Sequence, residues 1–111
     1  MNISDYNPTV IADQLCKAID KMKRLEVKRL DTRRRLAEAE ESLYKSEKKS
    51  YEDNDFRNMP ISKFQTILKY ELLEEKYQVN KFKGELSGFN GEFEAVKEIN
   101  NNLKKICDLQ K

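Results

Sequence analysis

The stretch Leu68–Cys107 reads LKYELLEEKYQVNKFKGELSGFNGEFEAVKEINNNLKKIC. Leu68, Leu72, Val79, Phe82, Leu86, Phe89, Phe93, Val96, Leu103 and Cys107 recur in it with alternating four- and three-residue gaps. Glu75 and Asn100 fill the two polar places in that series. A helix advances 100° per residue, so this spacing gathers the apolar groups into one narrow seam. A seam of that kind is what a long helix needs to pack lengthwise against another helix.

The partner helix lies earlier in the chain. Asn7 before Pro8 fits an N-cap with proline at the first helical position, where its missing N–H leaves no bond unmade. Ile11, Leu15, Ala18, Met22 and Leu25 then hold the heptad phase, and Leu36, Ala39 and Leu43 resume it after Arg29 and Thr32. With no glycine or proline from 9 to 50, helix one is expected over 8–50, behind a tail at 1–7. Residues 51–61 contain Asn54, Asp55 and Pro60 and read as a connector. Its apolar members Tyr51, Phe56, Met59 and Ile61 are expected to fold against Ile67, Tyr70, Leu73 and Tyr77 as a small second core. Ser62 with Gln65 fits a capping box, which places helix two over 62–109.

The fold class expected is therefore all-α, a long antiparallel helical hairpin of coiled-coil character forming a single domain over 1–111. The segment Ser87–Gly91, with Gly88 and Gly91, is compatible with a continuous or kinked helix and with a split. Unbroken seam phase through Phe82, Leu86, Phe89 and Phe93 favours continuity.

Composition agrees with long solvated helices: 38% of the 111 residues are charged, with three glycines and two prolines. A two-helix fold buries little area per residue, so self-association into a dimer or higher oligomer is expected. The net charge of +2 argues for no polyanionic partner by itself. Two cysteines without a secretory leader suit a reducing cytoplasmic setting, Cys107 as a seam residue and Cys16 as a surface thiol. No apolar run is long enough for a membrane span.

Searches for chemistry return little. Histidine and tryptophan are absent, the glycines form no phosphate-binding loop, and no Cys-x-x-Cys or Glu-x-x-His pattern occurs. Neither catalytic residues nor metal ligands nor a cofactor are expected. Glu75, the one carboxylate on the seam, is expected to pair with an arginine across the hairpin, Arg33 being the choice. The pattern Leu15-x-x-x-Ile19-Asp20 followed by Arg33-Arg34-x-Leu36-Ala37 resembles the first helix of the all-helical bacterial chorismate mutases over about twenty residues. In that family a substrate-binding arginine follows the early leucine; here Cys16 stands there, and the family's lysine position falls near Tyr44. The resemblance therefore implies no activity for this chain.

Two surfaces remain once folding is accounted for. On helix one, Val27 and Leu30 fall opposite the seam beside Lys23 and Arg34, a mixed basic and apolar strip. On helix two, Gly84, Gly88, Gly91 and Ala95 also fall opposite the seam, which suits either close approach of another helix or a bend. Residues 17–35 carry nine basic side chains, including Arg33, Arg34 and Arg35, whereas Glu38 to Asp55 is acidic. A solvated charged face accounts for that run, and a contact to nucleic-acid phosphates is its functional alternative. The expectation is a non-enzymatic interaction protein acting through protein–protein contacts, an adaptor, assembly factor or regulatory inhibitor of the sort bacteriophages and mobile elements encode. Lys23, Val27, Leu30, Arg33, Arg34, Arg35, Gly84, Gly88 and Gly91 are its candidate partner-binding residues.

Overall fold

The computed structural model describes residues 7–53 and 58–109. Phe56 and most of the N-terminal tail lie outside the described residues, so the part of the connector reading that rests on Phe56 does too. The chain is all-α. Helix α1 runs Pro8–Asp53, α2 Ile61–Glu71 and α3 Leu73–Leu109. The two long helices pack against each other as a hairpin. No described helix is long and apolar enough to cross a membrane.

Helix α1 starts where Asn7 places it. The Thr9 amide donates to Asn7 Oδ1 at 2.8 Å, and the Ile11 amide donates to the Asn7 carbonyl at 3.0 Å. One side-chain oxygen thus satisfies an amide that the first helical turn leaves unpaired. At its other end α1 continues three residues past the expected Ser50. The start of α2 corrects a second expectation. Pro60 is the cap residue, in an extended conformation and without a side-chain cap bond. Ser62 lies inside the helix, where its carbonyl accepts from the Thr66 hydroxyl at 2.9 Å, and no capping box forms.

The second helix is continuous through its glycines, as the seam phase favours, and is interrupted elsewhere. Ser87–Gly91 is helical throughout, and no glycine has positive φ. The interruption sits at Leu72 (φ −104°, ψ 8°), whose amide still donates to the Leu68 carbonyl at 3.0 Å. Leu72 is also among the most buried side chains of the chain, 2% exposed.

The chain divides into two compact units, Met1–Leu30 with Ser87–Lys111, and Asp31–Leu86. In the first unit Ala18, Leu25 and Val96 form the core, with Met22, Phe89 and Phe93 packed on it. Ile11 and Leu103 are buried as well. Arg29 occupies a seam position in this unit with its donors engaged locally. Its Nε donates to Asn90 Oδ1 at 2.8 Å, its Nη1 to Glu26 Oε2 at 2.9 Å, and its guanidinium lies 4.3 Å from the centre of the Phe93 ring. Such a group stays within an apolar seam only when its donors are engaged.

In the second unit Leu72 and Val79 are the buried apolar residues, with Thr32 and Ser50 buried beside them. Two serines of α1 answer two carboxylates: Ser46 Oγ donates to Glu75 Oε1 at 3.2 Å, and Ser50 Oγ donates to Glu71 Oε2. The ring of Tyr51 meets that of Phe64 at 5.3 Å. Of the second core expected around the connector, Met59 and Ile67 are half-buried. Tyr70, Leu73, Tyr77 and Ile61 are all at least 60% exposed. The seam claims Leu68 and Leu72, and residues a third to half a turn away from it are directed to water.

Candidate interaction surfaces

Val27 and Leu30 lie where the helical wheel puts them, 68% and 55% exposed on α1. They are three residues apart, so their side chains stack on one stripe of the helix. Lys23, four residues before Val27, is exposed on the same stripe and forms no ion pair among the described residues. Two large aliphatic groups and a free ammonium thus share a surface that the first unit does not use for its own packing.

The arginine run behaves differently. Arg34 Nη2 meets Asp31 Oδ1 at 2.8 Å and its Nη1 meets Glu38 Oε1 at 3.2 Å, while Arg35 Nε meets Asp31 Oδ2 at 3.1 Å. The hydrogen bond from Arg34, with the positive charges of Arg35 and Arg34 behind it, holds the Asp31 carboxyl below its ordinary range against the opposing effect of burial. The Asp31 hydrogen bond, with the charges of Glu38 and Asp31, raises the Arg34 guanidinium above its ordinary value. Two of the three arginines are therefore neutralised locally by i,i+3 and i,i+4 partners. Arg33 is exposed and unpaired. It does not meet Glu75, whose partner is Ser46. Expecting an arginine there followed from charge alone; the register of the two helices sets a serine opposite.

The glycine face is open. A methyl group added at Gly84, Gly88 or Gly91 would meet nothing within 4 Å. Among the described residues no other helix approaches closely at these positions.

Sequence reasoning marked Asn100 as a polar seam residue without seeing its condition. It is 5% exposed, and its Oδ1 is the buried side-chain polar atom left without a hydrogen-bond partner among the described residues. An open groove on the first unit is lined by Ile19, Met22, Lys23, Glu26, Phe93 and Asn100. A second, on another flank of that unit, is lined by Ala18, Val96, Ile99 and Leu103 with Gln14, Lys17 and Lys21 at its rim. Among the described residues no group of three His, Cys, Asp or Glu side chains converges as a metal site would require. Cys16 is exposed, Cys107 half-buried, and both are free thiols. Comparison with protein families, with characterised proteins and with solved structures finds no match for this chain.

Proposed function

We propose that this chain is a non-enzymatic interaction protein that binds a protein partner through the outer stripe of α1, with Val27 and Leu30 as the apolar contacts and Lys23 as the charged one. The observation that carries the reading is the pairing of exposure with position. Val27 and Leu30 are large, aliphatic and 68% and 55% exposed on a helix whose opposite face builds the core. Adjacent exposed aliphatics beside a free cation match the composition of a helix-in-groove contact, in which i and i+3 side chains anchor and a rim charge orients. The open grooves, and side chains that pair for structure rather than converge on a reacting centre, support a binding role over a catalytic one.

The nucleic-acid alternative is the weaker proposal. Phosphate binding draws on free cations, and Arg34 and Arg35 are already engaged by Asp31 and Glu38. Within the adaptor, assembly-factor and inhibitor classes, the stripe itself favours none.

Affinity capture from the source cells with the unmodified chain and with a Val27→Asp/Leu30→Asp variant tests the proposal. The expected result is a specific partner retained by the first and lost by the second, with equal helicity by circular dichroism. Equal retention of every partner by both proteins would contradict it.

A further inference from the structure

The Asn100 amide is an anomaly that the hairpin does not resolve. Leu72, Val79, Leu86, Phe93, Asn100 and Cys107 are spaced seven apart, and Asn100 is the one member of that series with a polar side chain. Three polar groups elsewhere on the seam are answered across it: Arg29 by Asn90, Ser46 by Glu75, Ser50 by Glu71. The α1 residues that line a groove with Asn100 are Ile19, Met22, Lys23 and Glu26, and none of them donates to its side-chain oxygen. A buried amide oxygen without a donor is destabilising relative to leucine at the same position. Among the described residues neither helix supplies that donor.

We propose that the groove lined by Ile19, Met22, Lys23, Glu26, Phe93 and Asn100 is the two-fold interface with a second copy of this chain. A primary amide carries both a donor and an acceptor, so across a two-fold axis each Asn100 NH2 donates to the oxygen of its own copy. The terminal torsion of asparagine is soft, which lets the amide turn its NH2 or its oxygen toward the groove. The rim presents one lysine and one glutamate, and a two-fold sets Lys23 of each copy toward Glu26 of the other, whose Oε2 also accepts from Arg29. Between these polar groups lie Ile19, 39% exposed, and the half-buried Met22 and Phe93. An interface of standard size takes about 800 Å² from each partner. A lone asparagine among apolar seam residues then sets the register and order of association. This interface shares Lys23 with the Val27–Leu30 stripe and differs from it in Ile19 and Asn100, so the two are tested by different substitutions.

Sedimentation equilibrium of the full-length chain at neutral pH tests the proposal, with circular dichroism as the check on folding. The unmodified protein is expected to be a dimer. Asn100→Asp places two like charges face to face without a donor, and Ile19→Lys sets a cation against Lys23 of the other copy. Each is expected to weaken the dimer by roughly tenfold or more while helicity is retained. Leu30→Asp, outside the groove, is expected to leave the dimer unchanged. Because Ile19 is surface-exposed, its substitution keeps the test valid if Asn100→Asp fails to fold. A monomer at roughly 100 μM, where interfaces of this size are populated, would overturn the proposal. So would a dimer indifferent to Ile19→Lys, or one dissociated by Leu30→Asp and not by Ile19→Lys. A monomer that still captures a partner through Val27 and Leu30 would overturn this interface alone and leave the proposed function standing.

Discussion

At the scale of single residues, local pairs were legible in the sequence and distant ones were not. Asn7 and Pro8 could be read as a helix start because donor and acceptor lie two residues apart. Ser62 had the right neighbours for a capping box and lost that role to Pro60, whose extended backbone begins the helix one residue earlier. Asn7→Ala is accordingly expected to lower stability by about 1 kcal/mol, and Ser62→Ala by less than about 0.5 kcal/mol, in urea unfolding. The partner of Glu75 needed the register of two helices, which charge pattern alone does not supply. Asp31 offers a test of electrostatics. Because its folded-state pKa lies below the ordinary 3.8, its stabilising contribution is complete above that value and fades as pH falls through the lower folded value. Its side chain is well exposed, which makes the contribution small. Carboxyl-carbon NMR titration should place the Asp31 midpoint below 3.8, and Arg34→Gln should move it back up; an unmoved midpoint would assign the shift to another cause.

At the scale of elements, heptad phase proved a better guide than helix-breaking composition. Two glycines within Ser87–Gly91 suggested a break, yet Leu86, Phe89 and Phe93 kept their spacing and the helix runs through. Glycine in an open helical position costs about 0.5–1 kcal/mol relative to alanine. Gly88→Ala, with nothing within 4 Å of the added methyl, is expected to raise stability by that amount and leave association unchanged. A loss of stability would mean that the position is crowded or not helical. The interruption at Leu72 had no local signal, since Glu71, Leu72, Leu73 and Glu74 are good helix formers with no glycine or proline among them. It coincides with a side chain only 2% exposed, so packing rather than propensity is the level at which it arises. Leu72→Ala should cost about 2–5 kcal/mol, whereas Leu73→Ala, one residue on and 60% exposed, should cost well under about 1 kcal/mol.

At the scale of the whole molecule, the hairpin could be read from two long amphipathic segments of similar length, and so could the faces left outside it. Charge gave less. The basic run suggested a phosphate contact, but its acidic neighbours Asp31 and Glu38 occupy two of the arginines. Retention on DNA or RNA at low salt is expected to be weak and unaffected by changing Arg33, Arg34 and Arg35 together to Gln; steeply salt-dependent retention abolished by that change would favour the nucleic-acid reading. The identity of a partner is not written in the pattern, because exposed aliphatics and a lysine define a kind of surface rather than an occupant. Everything proposed here depends on the chain folding back so that the seam is filled internally and the outer stripe of α1 is free. The Arg29–Asn90 contact spans 61 residues of chain and reports on that return directly. A double-mutant cycle of Arg29→Met and Asn90→Ala, measured by urea unfolding, should give a coupling of about 1–2 kcal/mol between the two positions. Effects that simply add, within about 0.3 kcal/mol, would mean that the two side chains do not meet and would contradict the hairpin register on which the account rests.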